Sequence, residues 1–275
     1  MSDNKEHAYD ALLPLTPAAS TAAVAEHLPW GMPSALSAGS GEEFLVQDEY
    51  VTCYDDDLRV PLWVAYRLTA QDLVVQRDRK ECFRNDPRLD GVNAAFCADY
   101  EEKIFDRGHM VPNSDMERSE AAMINTYILS NIAPQHDKFN RGIWNRLEGY
   151  VRAWAKKRGD VYVVTGAVFD RDGNGKRDAD SQAARMITGR VAVPTHFFKI
   201  IVHQWPNGFI ETLAILLPHV DASPKGPKAD HYLASHLVSI DAIEARASVD
   251  YFPALPDMQE GTVEALVAAA LWPRK

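Results

Sequence analysis

The sequence has no uninterrupted apolar run of about 18 residues, so nothing in it reads as a membrane-spanning helix. Its start, MSDNKEHAYDALLPL, lacks a basic segment followed by an apolar one, so no secretory signal is visible and localisation stays open. Cysteine is scarce. The three present, Cys53, Cys82 and Cys97, are an odd number, which does not suggest a disulfide framework; one bridge with a free thiol and three free thiols both stay open, and buried small hydrophobes are the favoured reading. Positive charge is also short: 29 Lys and Arg stand against 39 Asp and Glu, a formal charge of −10. That balance argues against a protein that coats nucleic acid through its global charge. It does not argue against an enzyme whose groove is only locally basic. No internal repeat is seen.

What is present is ordinary for a folded chain: 275 residues, 46% hydrophobic and 25% charged, enough to bury a sizeable core. Residues 1–40, rich in Ala, Ser, Pro and Gly, read as an N-terminal arm with one helix around Thr16–Leu28. Residues 41–256 read as the main domain and 257–275 as a helical tail. Short β-prone segments are expected at Phe44–Val46, Tyr50–Tyr54, Leu62–Leu68, Tyr127–Ala133, Val161–Val164, His196–Val202 and Glu211–Leu217. Residues 77–109 read as irregular, and a long irregular stretch inside a compact domain is more often functional than idle. The clearest helix runs from about Lys138 to Lys157, where Ile143, Trp144, Leu147, Tyr150, Val151 and Trp154 recur at spacings of three and four. Short helices are expected at Ile240–Ala245 and Thr262–Leu271. The apolar face of Val263, Leu266, Val267 and Leu271 would pack at home or against a partner. The pattern is mixed α+β with antiparallel strands and no βαβ alternation.

The chemistry is concentrated in Asp106-Arg107-Gly108-His109 and in the helix opening Asn140-Arg141-Gly142-Ile143-Trp144-Asn145-Arg146-Leu147-Glu148. Hydrolysis of a phosphodiester needs a base, stabilisation of charge on phosphate oxygens and help for the leaving alkoxide. A neutral imidazole at His109 suits the first task. Arg107 and Arg84 can donate to phosphate oxygens. The carboxamide oxygen of Asn140 is a hard neutral ligand suited to Mg²⁺ that keeps most of its waters. Glu148 lies eight residues further on. On a regular helix that is about 80° round and about 12 Å along, too far for a second direct ligand, so contact through water is expected. The other eight histidines show no metal-ligand spacing and read as structural or surface residues.

These segments, with Leu129–Gln135 (LSNIAPQ), Phe83–Leu89 (FRNDPRL) and Val193–Ile200 (VPTHFFKI), make the chain resemble the DNA/RNA non-specific endonucleases of the ββα-metal type, over about residues 27–255. The resemblance implies a ββα-metal fold with a mainly antiparallel sheet flanked by helices. It implies a single Mg²⁺, with Mn²⁺ as a substitute, held directly by Asn140 and through water by Glu148. It also implies His109 as general base, Arg84 on the scissile phosphate, Arg107 in phosphate binding, and Asn131 and Asp106 in support. DNA and RNA would be cut through backbone contacts, leaving 5′-phosphate and 3′-hydroxyl ends, by a monomer or homodimer without a membrane partner. Relatives of this type are often secreted or periplasmic. The alternatives are a nuclease of narrower substrate range and a catalytically silent nucleic-acid-binding or calcium-binding protein on the same fold.

A second motif, Asp170-Arg171-Asp172-Gly173-Asn174-Gly175-Lys176-Arg177-Asp178, follows the first part of an EF-hand loop, with oxygen ligands at Asp170, Asp172, Asn174 and Asp178. Ser181 stands where a bidentate Glu is expected. A structural Ca²⁺ site and a polar hairpin loop both remain open readings.

Overall fold

The computed structural model describes residues 15–36, 41–78, 81–182 and 185–274. Most of the N-terminal arm's irregular part, and Arg79 and Lys80 of the polar stretch, lie outside these ranges. In chain order the regular elements are α1 (Pro17–His27), β1 (Ser34–Ala35), β2 (Glu42–Val46), β3 (Val51–Asp55), β4 (Val60–Thr69), β5 (Phe105–His109), α2 (Glu120–Asn125) and β6 (Ile132–His136). A continuous helical rod follows: α3 (Asp137–Phe139), a π-helical turn (Asn140–Trp144) and α4 (Asn145–Arg158). Then come β7 (Asp160–Val168), β8 (Met186–Ile187), β9 (Val191–Ala192), β10 (His196–Gln204), β11 (Ile210–Pro218), α5 (Pro227–Ala234), β12 (Leu237–Val238), α6 (Ile240–Ala247), β13 (Val249–Asp250) and α7 (Asp257–Ala265).

A seven-stranded sheet in the order β12-β11-β10-β7-β4-β3-β2 forms the spine, and every neighbouring pair in it is antiparallel. Its middle strands are apolar at nearly every position because both faces are covered. Strand β10 shows how the covering works. Phe197 meets Trp144 of the π turn, while its neighbour Phe198 meets Tyr251 beyond β13. Successive side chains on a strand point to opposite faces, so the rod packs on one side and the α6–β13 segment on the other. Helix α1 packs onto β4, where buried His27 Nδ1 accepts from the Arg67 amide and Nε2 lies 3.0 Å from the Asp48 carbonyl. The far end of the chain returns to the rod, with Trp154 Nε1 donating to the Trp272 carbonyl at 2.9 Å.

The expected antiparallel α+β pattern is present, and the expected β-prone segments other than Tyr127–Ala133 fall on strands of the sheet. Three expectations need correction. The strand expected at Tyr127–Ala133 begins only at Ile132, after a 3-10 turn at Leu129–Asn131. Its partner β5 spans Phe105–His109 and pairs with Ile132–His136, while the earlier residues meet Arg84 through an isolated parallel bridge at Ile128. Residues 105–109, expected to be irregular, form that partner strand. The last helix spans Asp257–Ala265 instead of Thr262–Leu271. Thus Val263 is buried, whereas Leu266 and Val267, past the helix end, are exposed.

Candidate active site

The short hairpin β5–β6 and the helical rod after it make a ββα unit on one face of the sheet. Gly108 is required inside this unit. A Cβ there would lie 2.3 Å from Cδ of Gln135, so the space a side chain would need is filled by the Gln135 side chain. Just past His109, the chain is pinned by Asn131. Its Oδ1 accepts from the Val111 amide at 2.9 Å, and its Nδ2 donates to the Val111 and Thr126 carbonyls. Asn131 is fully buried and these bonds occupy both amide hydrogens, so it positions the His109 segment and touches nothing in the cavity. The His109 ring is held edge-to-face by Tyr127 at 4.9 Å, with Phe83 at 5.5 Å.

Asp106 organises the other wall. Its Oδ2 accepts from Asn140 Nδ2 at 2.9 Å, and both its oxygens accept from Arg141. A carboxylate only accepts, so the nitrogen of the Asn140 amide must face Asp106. The oxygen Oδ1 is thereby left as a ligand for the cavity that Asn140 lines. The π turn matters here. Relative to a regular helix it inserts about one residue, or about 100° of rotation. The offset of about 80° between Asn140 and Glu148 becomes roughly −20°, so the two residues come close to one face.

The result is a cavity of about 280 Å³ lined by Arg107, His109, Asn140, Arg141, Asn145 and Glu148, with Asn113, Ser114 and Glu117 on its rim. Arg107 lies with Cζ 4.1 Å from the Phe83 ring centroid, and its buried Nη1 has no hydrogen-bond partner among the described residues. Behind the rod, fully buried Lys199 donates to Thr165 Oγ1 at 2.6 Å and stacks on Trp144. Burial pushes its ammonium down to about 8, opposed first by the carboxylate of Glu148. Hard oxygen donors at Asn140 and Glu148, with the Arg107 guanidinium on the same lining, fit a hydrated divalent cation with a phosphate beside it.

Of the residues singled out from the sequence, the structure brings Arg107, His109, Asn140 and Glu148 into one cavity, with Asp106 directly behind Asn140. Arg84 is not on that lining. It is buried, and its Nη1 donates to the Ile124 carbonyl at 3.0 Å. In the 170–178 loop, among the described residues, the carboxylates alone form no triad of closely spaced potential ligands. Asp170 accepts from the Gly175 amide and faces Arg246 at 3.4 Å, Asp172 accepts from Asn174, and Asp178 accepts from Arg171. Asn113, Ser114, Glu117 and Asn145 were missed in the sequence. Asn145 alone left a signal, one helical turn before Glu148. The three cysteines are free and buried, as the composition suggested.

A ββα unit that sets a histidine on its strand against an asparagine on its helix defines a ββα-metal nuclease fold. The comparisons agree. The sequence profile of the DNA/RNA non-specific endonucleases matches residues 33–258, and the chain belongs to that family, one of metal-dependent nucleases. Among similar proteins, "Nuclease EXOG, mitochondrial" of Danio rerio is 37% identical over 80% of this chain and 64% of its own length. "Endonuclease G, mitochondrial" of Homo sapiens is 34% identical over 82% of this chain and 74% of its own. "Nuclease C1" of Cunninghamella echinulata var. echinulata is 34% identical over 79% of this chain and 85% of its own. The chain thus spans just under two thirds of the first of these proteins.

Proposed function

We propose that this protein is a sugar-non-specific endonuclease that hydrolyses DNA and RNA backbones with one Mg²⁺, Mn²⁺ being able to replace it. The reading is carried by one observation: Arg107, His109, Asn140 and Glu148 line the same cavity. Asn140 Oδ1 would hold the cation directly and Glu148 through water, and when bound the cation would supply positive charge beside the phosphate and the departing 3′-oxygen. The His109 imidazole takes the proton of the attacking water, its ring kept in place by Tyr127 and Phe83. Arg107, which lines the cavity, is the guanidinium we assign to the scissile phosphate, and Arg84, buried with its Nη1 on the Ile124 carbonyl, is placed in support of the fold. Asp106 and Asn131 are positioning residues. The products would carry 5′-phosphate and 3′-hydroxyl ends.

Two further cavities continue the site on either side. One shares Ser114 and Glu117 with it and adds Arg77, Arg152 and Lys156. The other shares Arg141 and Asn145 and adds Lys138, Arg146 and Lys225. A basic track on an acidic protein suits a phosphodiester strand, and contacts to the backbone would not distinguish deoxyribose from ribose. The deciding experiment is nicking of supercoiled plasmid and cleavage of a single-stranded RNA, each with Mg²⁺ and with EDTA. Wild type should cut both with Mg²⁺ alone, and His109→Ala should cut neither while still binding DNA. A wild-type protein that binds DNA but cuts nothing would favour the silent alternative. Cutting of RNA alone would favour the narrower nuclease.

A further inference from the structure

Across the sheet from the groove, α6, β13 and α7 bring five carboxylates together. One oxygen each from Asp241, Glu244 and Glu264 lie within 4.8 Å of one another, and so do one each from Asp250, Glu260 and Glu264. The arrangement follows from helical spacing: Asp241 and Glu244 are three apart on α6, and Glu260 and Glu264 four apart on α7, so each pair shares a face. Glu264 belongs to both triads. It is 7% exposed, and its Oε1 is buried without a hydrogen-bond partner, as is Asp250 Oδ1. Glu244 Oε1 accepts the Tyr251 amide at 2.8 Å. The cation nearest in sequence, Arg246, turns to Asp170 and to the Ala242 carbonyl.

Burying a carboxylate among four others, with no cation paired to it among the described residues, is expensive. Burial and the neighbouring acids push Glu264 up to about 8 and Glu244 up to about 7. Two solutions exist: the acids hold protons, or they hold a metal. Oxygens bound to one Ca²⁺ at about 2.4 Å can lie no more than about 5 Å apart, and the oxygens of each triad fall inside that bound. Five carboxylates without nitrogen or sulfur donors select a hard cation. Flexible, carboxylate-rich coordination suits Ca²⁺ better than Mg²⁺. Exposed Asp241 leaves an entry path.

We infer that Glu264, with Asp241, Glu244, Asp250 and Glu260, forms a binding site for one calcium ion that clamps α7 to α6, separate from the catalytic cavity. The inference does not depend on the nuclease reading. The test uses the full chain carrying Asn140→Ala, stripped with chelator, titrated with CaCl₂ and in parallel with MgCl₂, by calorimetry and thermal melting. One Ca²⁺ per chain should bind, with weaker binding of Mg²⁺. At a hundredfold excess over Kd, the Tm should rise by roughly 5 °C. Glu264→Gln should abolish both signals, and Asp172→Asn, in the 170–178 loop, should leave them intact. If Glu264→Gln fails to fold, Asp241→Asn at the exposed edge should weaken binding by roughly tenfold. Absence of both heat and Tm shift at millimolar CaCl₂ would show that the cluster holds protons instead. Calcium binding lost with Asp172→Asn, or unchanged with both Glu264→Gln and Asp241→Asn, would equally overturn the assignment.

Discussion

Asp106 decides which end of the Asn140 amide faces the cavity, and that single hydrogen bond sets whether a ligand or a donor meets an incoming ion. Asp106→Asn keeps the shape but removes this constraint, because an amide can donate or accept. The expected result is a loss of apparent Mg²⁺ affinity of roughly ten- to a hundredfold in a nicking assay titrated with metal. His219 makes a prediction of a different kind. Its Nε2 accepts from the His136 amide at 2.7 Å, and its Nδ1, 2.8 Å from the Pro194 carbonyl, must then carry the proton. Burial holds its pKa down to about 4, from an ordinary 6.5. The unfolded chain therefore takes up a proton before the folded one. Stability present above pH 6.5 should be lost as pH falls through 4, by about 3 kcal/mol from this residue. Urea unfolding at pH 7 and at pH 4.5 measures it, and His219→Asn should flatten the difference.

Among the elements, the π turn is the one that sets the geometry of the cavity wall. It turns Glu148 toward the face of Asn140, and Gly142 inside it is met closely by Ser223: a Cβ there would lie 2.1 Å from Oγ and 2.4 Å from Cβ of that residue. Gly142→Ala must push the loop at 223 away or unwind the turn, at a cost of about 1–3 kcal/mol. The loss should appear both as a lowered Tm and as reduced activity at saturating Mg²⁺. Gly108→Ala drives a methyl into Gln135 across the β5–β6 hairpin, and a comparable fall in Tm is expected. A Gly142→Ala protein that cuts at the wild-type rate would mean that the registry of the rod does not matter. The helix itself was legible from its apolar spacing. The π turn was not, because the same spacing serves both windings over five residues.

On the scale of the whole molecule, a net charge of −10 coexists with a groove lined by Arg77, Lys156, Lys138 and Lys225. Binding should therefore depend on the groove and not on the total. Lys156→Ala and Lys225→Ala together should raise KM several-fold with little change in kcat. They should also lower the slope of log affinity against log salt by about 0.9 per charge removed on duplex DNA. Cleavage rates across a salt series supply both quantities. Acidic residues elsewhere, including the five beside α7, would keep the protein from holding product indiscriminately.

The amino-acid order by itself determined the antiparallel α+β class, the long helix and four of the residues lining the cavity, because apolar periodicity and a rare run of polar residues are local properties. Strand β5 escaped it, since Asp-Arg-Gly-His looks like loop until Ile132–His136 supplies the partner that makes it a strand. Tertiary structure alone decided that Arg84 is buried with its Nη1 on the Ile124 carbonyl, that Arg107 lies over the Phe83 ring, and that Asp170, Asp172 and Asp178 each accept from a backbone amide of their own loop. It alone gathered Glu264 with acids up to 23 positions away in the chain. Which partner a charged group finds depends on what packing brings beside it, and no window of sequence contains that information.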